Sequence, residues 1–372
     1  PWPEPTRDGP TIPAHTRFVD DTHHFVAFRG NRQERYSKGF KTLMRIWAGN
    51  DSLNLEKEQE SGGYTLRQHG FGKLVDSYKR TISTPLSRLC RTEDKICRYL
   101  DDPSTRFLAS EVPPAAGSLR STLESSPGLG ALVFSRFDAM LSDIAKSYGP
   151  KKPPADFEPS PALDGETREE GEAMLRLTLS IAWRCASLNN GEFLTAKYEQ
   201  WLPFDLRITC PGKERIKQFL FPESDASGKA LLFFDPVTGA YIKETFTEEE
   251  VSALFDYERA DHGILITNME GYADTIGIPL TTFDHPDVVL VAPRNDNMGF
   301  VDGLNGNKST NVKNLHCIMG LKLWSFLTGV DLHAIYLRTD DNIRADPGSR
   351  PEKVVAGVSQ TGSLNWSHCK TP

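Results

Sequence analysis

A polar run carrying five prolines, GPKKPPADFEPSPALDG over residues 149–165, constrains this chain more than any other stretch. Proline fixes φ and lacks an amide donor, so such a run extends neither a helix nor a sheet ladder. It predicts an exposed loop or a linker between two unequal parts of the chain. Before it, Leu86, Leu89, Cys90, Ile96, Cys97 and Leu100 fall near one face of a helix that stops before Asp101-Asp102-Pro103. A second helix is expected over Leu132–Ile144. After the prolines, Glu169–Leu188 reads as a helix apolar round much of its circumference, as befits an element covered on two sides. Strands are expected at Asp205–Thr209, Lys229–Phe234, Gly239–Lys243, Gly263–Thr267 and Asp287–Ala292, with helices at Thr247–Tyr257 and Lys313–Leu327. Strands and helices mix without regular alternation, and neither GxGxxG nor GxxxxGKS/T occurs. The expected class is therefore α+β. Its expected parts are 1–130, a helical insertion or lobe at 131–200, 201–300 and a C-terminal region 301–372 of unassigned role.

With 372 residues, 38% hydrophobic and 25% charged, the chain can bury a real core. Its longest apolar runs, Ala230–Phe234 and Val288–Ala292, are too short for a bilayer, so no membrane span is expected. A net charge of -7 and a pI near 5.8 argue against a general binder of phosphate backbones, and no nucleic acid partner is expected. The six cysteines are sparse and show no CxxC spacing, which suits one to three disulfides or reduced core thiols, and no metal site is expected. His285-Pro-Asp287 with His316 or His333 has the ligand types of a non-haem iron site at an unconvincing spacing. There is no GxSxG elbow. A first residue Pro1, a proline-studded arm over residues 1–15 and Asn-x-Ser/Thr sites at Asn50, Asn307 and Asn365 give the expectation of an exported chain that has lost an upstream segment.

Phe25-Val26-Ala27-Phe28 reads as a short strand that ends on Arg29-Gly30. A guanidinium there can hold a pyrophosphate or a carboxylate through two parallel hydrogen bonds, and Gly30 lets the backbone approach; a surface salt bridge is the plainer role. Further on, Thr81-Ile82-Ser83-Thr84-Pro85 suits a strand or the N-cap of the helix from Leu86. Thr247-Glu248-Glu249-Glu250 offers a Glu-x-Glu pair and, equally, a capping box. Glu270, in Asn268-Met269-Glu270, follows the expected strand Gly263–Thr267 and precedes Gly277-Ile278-Pro279; a solvated turn is its alternative place.

These segments, with Gly39-Phe40 and Trp47–Asp51, resemble the opening and catalytic motifs of ADP-ribosyltransferase toxins of the cholera and pertussis type. The resemblance covers about a fifth of the chain and implies an NAD cleft. Arg29, Gly30, His69, Ser83 and Thr84 would bind NAD, with Arg29, Ser83 and Glu270 catalytic and Glu248 or Glu250 as alternative carboxylates. Pro85 replaces the third residue of the Ser-Thr-Ser motif, and Asn268 stands where an acid accompanies arginine acceptors. The implied function is a secreted or host-delivered toxin or effector that cleaves NAD, its substrate, and transfers ADP-ribose to a host target protein. A delivery subunit or chaperone is an implied partner. The alternatives are an NAD glycohydrolase and a non-catalytic secreted binding protein.

Overall fold

In the computed structural model of the protein, the described residues are 81–102, 104–123, 125–187, 219–228, 230–255, 262–283, 285–342, 344–345 and 349, with short pieces at 14–18, 21–25, 67–70, 73–76 and 195–197 and single positions 42 and 79. The protein is α+β. β1 (Ala14–Phe18) and β2 (Asp21–Phe25) form an antiparallel pair. β3 (Arg67–Gly70), β4 (Lys73–Asp76), β5 (Thr81–Ser83) and β6 (Thr195–Lys197) form an antiparallel sheet in that order.

Among the described residues five helices follow β5 before β6: α1 (Leu86–Asp101), α2 (Val112–Leu123), α3 (Pro127–Gly130), α4 (Phe134–Tyr148) and α5 (Arg168–Ser187). On α1 the buried residues are Leu89, Thr92, Ile96 and Tyr99, a three-and-four spacing that puts them on one face. That face joins Leu119, Phe137, Met140, Leu175 and Leu179 in a single core, so helices on both sides of the proline run pack together. The run has neither helix nor strand, as expected, but it is tied down. Phe157 O accepts from Ala109 N at 2.8 Å, Asp143 Oδ2 accepts from Ser160 N at 2.8 Å, and just beyond the run Glu166 makes a two-pronged pair with buried Arg136 at 2.7 Å.

The second half of the chain builds β7 (Phe219–Leu220), β8 (Glu223–Ala226), β9 (Ala230–Phe234), β10 (Tyr241–Thr245), α6 (Glu248–Phe255), α7 (His262–Phe283), β11 (Leu290–Val291), β12 (Arg294–Asn295), α8 (Met298–Gly306), α9 (Val312–Thr328), β13 (Asp331–Leu332) and β14 (Ile335–Tyr336). Among the described residues one sheet has the order β10-β9-β8-β12-β14 and another the order β13-β11-β7. They are successive parts of the same strands. Arg294 N donates to Pro222 O at 2.7 Å and Ile335 N to Pro293 O at 2.8 Å, bridging the gaps. Residues 219–226, 290–295 and 331–336 thus run parallel, and the hairpin β9-β10 is antiparallel to the first of them.

β9, Ala-Leu-Leu-Phe-Phe, is buried at every position, which is the pattern of a strand covered on both faces. α7 lies against β8, β9 and α9. Gly277 permits this approach, since a Cβ there would sit 2.1 Å from Phe233 Cγ. Met319, Leu323 and Phe326 of α9 reach the helical core as well, so α9 joins the two halves.

Two expectations change here. Gly263–Thr267 is not a strand but the start of α7. Covered by the sheet on one side and by α9 on the other, α7 is apolar around much of its surface, and its β-branched opening carries no helical period. Glu270 is accordingly a buried helix residue, not a turn carboxylate. The capping box at α6 is present, with Thr247 N donating to Glu250 Oε2 at 2.8 Å and Glu250 N to Thr247 Oγ1 at 3.2 Å. Cys90, Cys97, Cys185 and Cys317 are free thiols, while Cys210 and Cys369 lie outside the described residues. Among the described residues no helix is long and apolar enough to cross a membrane.

Candidate metal centre

β8 and β12 are parallel neighbours whose connections leave in opposite directions, β8 into the hairpin with β9 and β12 into α8. Such a reversal opens a crevice at the carboxyl ends of the strands. Three acids meet there. Asp225 is the third residue of β8, Asp296 directly follows β12, and Glu270 projects from α7, which packs on β8. One carboxylate oxygen from each lies within 4.8 Å of the others, with Asp225 and Glu270 buried and Asp296 half-buried.

Each acid is held by neighbours. Glu270 Oε1 accepts from Ala226 N at 2.7 Å and Oε2 from Asn295 Nδ2 at 2.9 Å. The same Asn295 amide donates to Ser224 Oγ at 3.0 Å, and its Oδ1 accepts from Asn297 N at 2.8 Å. Asn297 then caps α8 by accepting from Phe300 N at 3.1 Å. Asp225 accepts from Asn342 Nδ2 at 3.4 Å and from the Ser349 hydroxyl. Asp296 Oδ2 accepts from Thr339 Oγ1 at 2.9 Å. The rigid strand ends and the helix therefore set the geometry, and the segment after β14 fastens it from outside.

Burial raises the Glu270 carboxyl well above its ordinary range, and the charges of Asp225 and Asp296 push it the same way, against the Ala226 N–H. Three like charges this close and this buried are stable only with a proton or a cation among them. An all-oxygen donor set drawn from three separate elements fits a hard divalent cation such as Mg²⁺ or Mn²⁺. Asp274, one turn further along α7, is also buried; burial pushes it up to about 7, with the Ser224 hydroxyl opposing weakly.

Of the residues singled out from sequence, Glu270 alone belongs to this cluster. Ser83 sits on β5, where its hydroxyl donates to Leu74 O at 3.5 Å, and Thr84 is buried with its hydroxyl donating to Thr122 O at 2.7 Å. Ser83 does not cap α1, whose N-cap is Pro85. Arg29 and Gly30 lie outside the described residues, as does the side chain of His69 on β3. Glu248 and Glu250 occupy the first turn of α6. His285 pairs with Asp235 at 3.1 Å, and His316 stands near Arg136 and Glu166, so the two histidines serve different surroundings. Asp225, Asn295 and Asp296 were not found by sequence reasoning. Their signal is an acid at the end of each of two neighbouring apolar strands, Asp225 after Phe219-Leu220-Phe221 and Asp296 after Val288–Ala292. The expectation of no metal site weighed cysteine spacing and a set of His285, Asp287 and a later histidine, not three carboxylates from separate elements.

No family model and no curated protein sequence matches the chain. Among solved structures, RNase H1 of the halophilic archaeon Halobacterium salinarum NRC-1 aligns with 35% of this chain and 93% of its own, at 18% identity and a TM-score of 0.26. A foamy viral protease-reverse transcriptase in complex with double-stranded DNA aligns with 87% of this chain and 46% of its own, at 11% identity and a TM-score of 0.24. The chain spans under half the length of that viral protein, and likenesses this slight assign no family.

Proposed function

We propose that the protein is a metal-dependent phosphodiesterase that cleaves nucleic acid. The observation that carries this is the meeting of Asp225, Glu270 and Asp296, from three elements, within 4.8 Å at the carboxyl ends of two parallel strands. These three carboxylates would hold the metal. When bound, a divalent cation supplies a Lewis acid for a phosphoryl oxygen and lowers the pKa of a water. Ala226 N–H and the Asn295 amide keep Glu270 in one orientation, and Thr339 does the same for Asp296, so the ligands need no rearrangement to receive the charge. A nucleic acid substrate stands against the expectation drawn from the net charge of -7, which describes the whole surface and not one cleft.

The test is incubation of the pure protein with labelled single-stranded, duplex and RNA–DNA hybrid substrates in Mg²⁺ or Mn²⁺. Cleavage is expected, is abolished by EDTA, and falls about 10²-fold or more in Asp225→Asn, Glu270→Gln and Asp296→Asn. Intact substrates of every kind in both metals would overturn the proposal. NAD cleavage, with the secreted effector role that accompanies it, is a separate proposal tested by nicotinamide release. Asp225→Asn and Asp296→Asn distinguish the two, since metal-dependent cleavage needs both acids and the NAD proposal assigns them no role.

A further inference from the structure

One strand step from the acids lies a charged group that takes no part in holding the metal. Glu223, two residues before Asp225 on β8, has a side chain 7% exposed, and two guanidinium groups share its Oε1: Arg294 Nη1 at 3.6 Å and Arg344 Nη1 at 3.7 Å. Both distances exceed a hydrogen bond, and Oε2 has no hydrogen-bond partner. Arg294 and Glu223 are register partners on the two parallel strands. Each guanidinium lies over an aromatic ring, Arg294 over Phe221 at 5.4 Å and Arg344 over Phe234 at 5.6 Å. The two arginine side chains remain 39% and 49% exposed.

Neutralising one buried carboxylate takes one guanidinium at hydrogen-bond distance. Here two guanidinium groups stand back from it, leaving a surplus positive charge. Among the described residues neither arginine side chain donates a hydrogen bond, and each fork keeps N–H donors beyond the Nη1 that faces Glu223. The rings beneath them fix their planes, as arginine on an aromatic face does. Position matters as much as charge. Arg294, the first residue of β12, stands two residues before Asp296, so their backbones lie no more than about 7 Å apart. A metal cluster attracts one phosphate of a strand; a pair of half-exposed forks gathered on one Glu223 oxygen suits the phosphate next to that one.

Resting on the proposed nuclease function, we propose that Arg294 and Arg344, seated on Glu223, bind the nucleic acid backbone next to the phosphodiester held at the acids. The test separates binding from cleavage by measuring fluorescence anisotropy of a labelled oligonucleotide in EDTA across a salt series. Arg294→Gln and Arg344→Gln are each expected to weaken binding about 5- to 10-fold and to reduce the slope of log K against log salt by about one. Glu223→Gln, which frees the same two guanidinium groups, is expected to tighten it. In cleavage assays the arginine variants are expected to raise KM for an oligonucleotide by a larger factor than they change kcat.

Oligonucleotide binding and salt slope unchanged in both arginine variants would overturn the proposal, as would Glu223→Gln weakening binding as much as they do. Should Arg294→Gln fold poorly, Arg294→Lys keeps the charge without the fork and is expected to weaken binding while leaving the salt slope intact. Arginine-dependent binding in a protein that cleaves nothing would sustain this site and sink the nuclease proposal. Cleavage with arginine-independent binding would do the reverse.

Discussion

Asp274 is wholly buried on α7 with neither carboxylate oxygen in a hydrogen bond, and burial pushes it up to about 7. The unfolded chain would release that proton near pH 4. Between those values the folded state binds the proton more tightly, so its stabilising effect is whole below about pH 4 and is lost as the pH rises to about 7. Asp274→Asn should therefore match the parent near pH 4 and exceed it by ~2–4 kcal/mol at pH 8, read by urea denaturation at both values. An equal difference at the two pH values would show that the effect is packing, not charge. Arg136 and Glu166 are the opposite case, a buried pair in which each charge meets the other through two hydrogen bonds. Burial alone would raise the Glu166 carboxyl, but the hydrogen bonds from Arg136 outweigh it and hold it below its ordinary value. Glu166→Gln strands the guanidinium and should cost ~3–5 kcal/mol by the same measurement. At this scale the sequence was half readable. Glu270 stood out, but for a different chemistry, and Asp225 and Asp296 are single acids at strand ends whose partners in the cluster come from distant parts of the chain.

Most helices were easy to place. α1, α4, α5 and α9 lie where the apolar spacing put them, and the box at α6 forms as Thr247 and Glu250 suggested. α7 was hidden by its own burial, because a helix pressed between a sheet and another helix has no wet face to mark its period. The two-residue pieces β7 and β11 to β14 were hidden by their length. They acquire meaning only from partners far along the chain. The tightest test of the α7 seat is Gly277→Ala. The added methyl would meet the Phe233 ring at 2.1 Å, closer than any rotamer relieves without moving helix or strand. A loss of ~1–3 kcal/mol is expected in a melt, and an unchanged melting temperature would mean that α7 sits further from β9 than described.

Across the whole molecule, the centre depends on residues from Ser224 to Ser349, gathered by a sheet order that places β8 between a hairpin and a parallel partner. No short motif encodes that, which is why sequence patterns gave the class and most helices but not the cleft. The proposed metal site predicts that folding is sensitive to a divalent cation. Mg²⁺ at a hundredfold excess over its dissociation constant should add about 2.7 kcal/mol of stability, seen as a higher melting temperature. Asp296→Asn should show little of that rise, and a full rise in the variant would place the cation elsewhere.

Asp225 owes its orientation to Asn342 and Ser349, 117 and 124 residues later in the chain. A polypeptide still emerging from the ribosome can form the hairpin and α7 long before those anchors arrive, since folding proceeds from the N-terminal side during synthesis. The three carboxylates therefore gain their last fastenings only once translation has passed position 349, and a chain still on the ribosome carries the cluster without them.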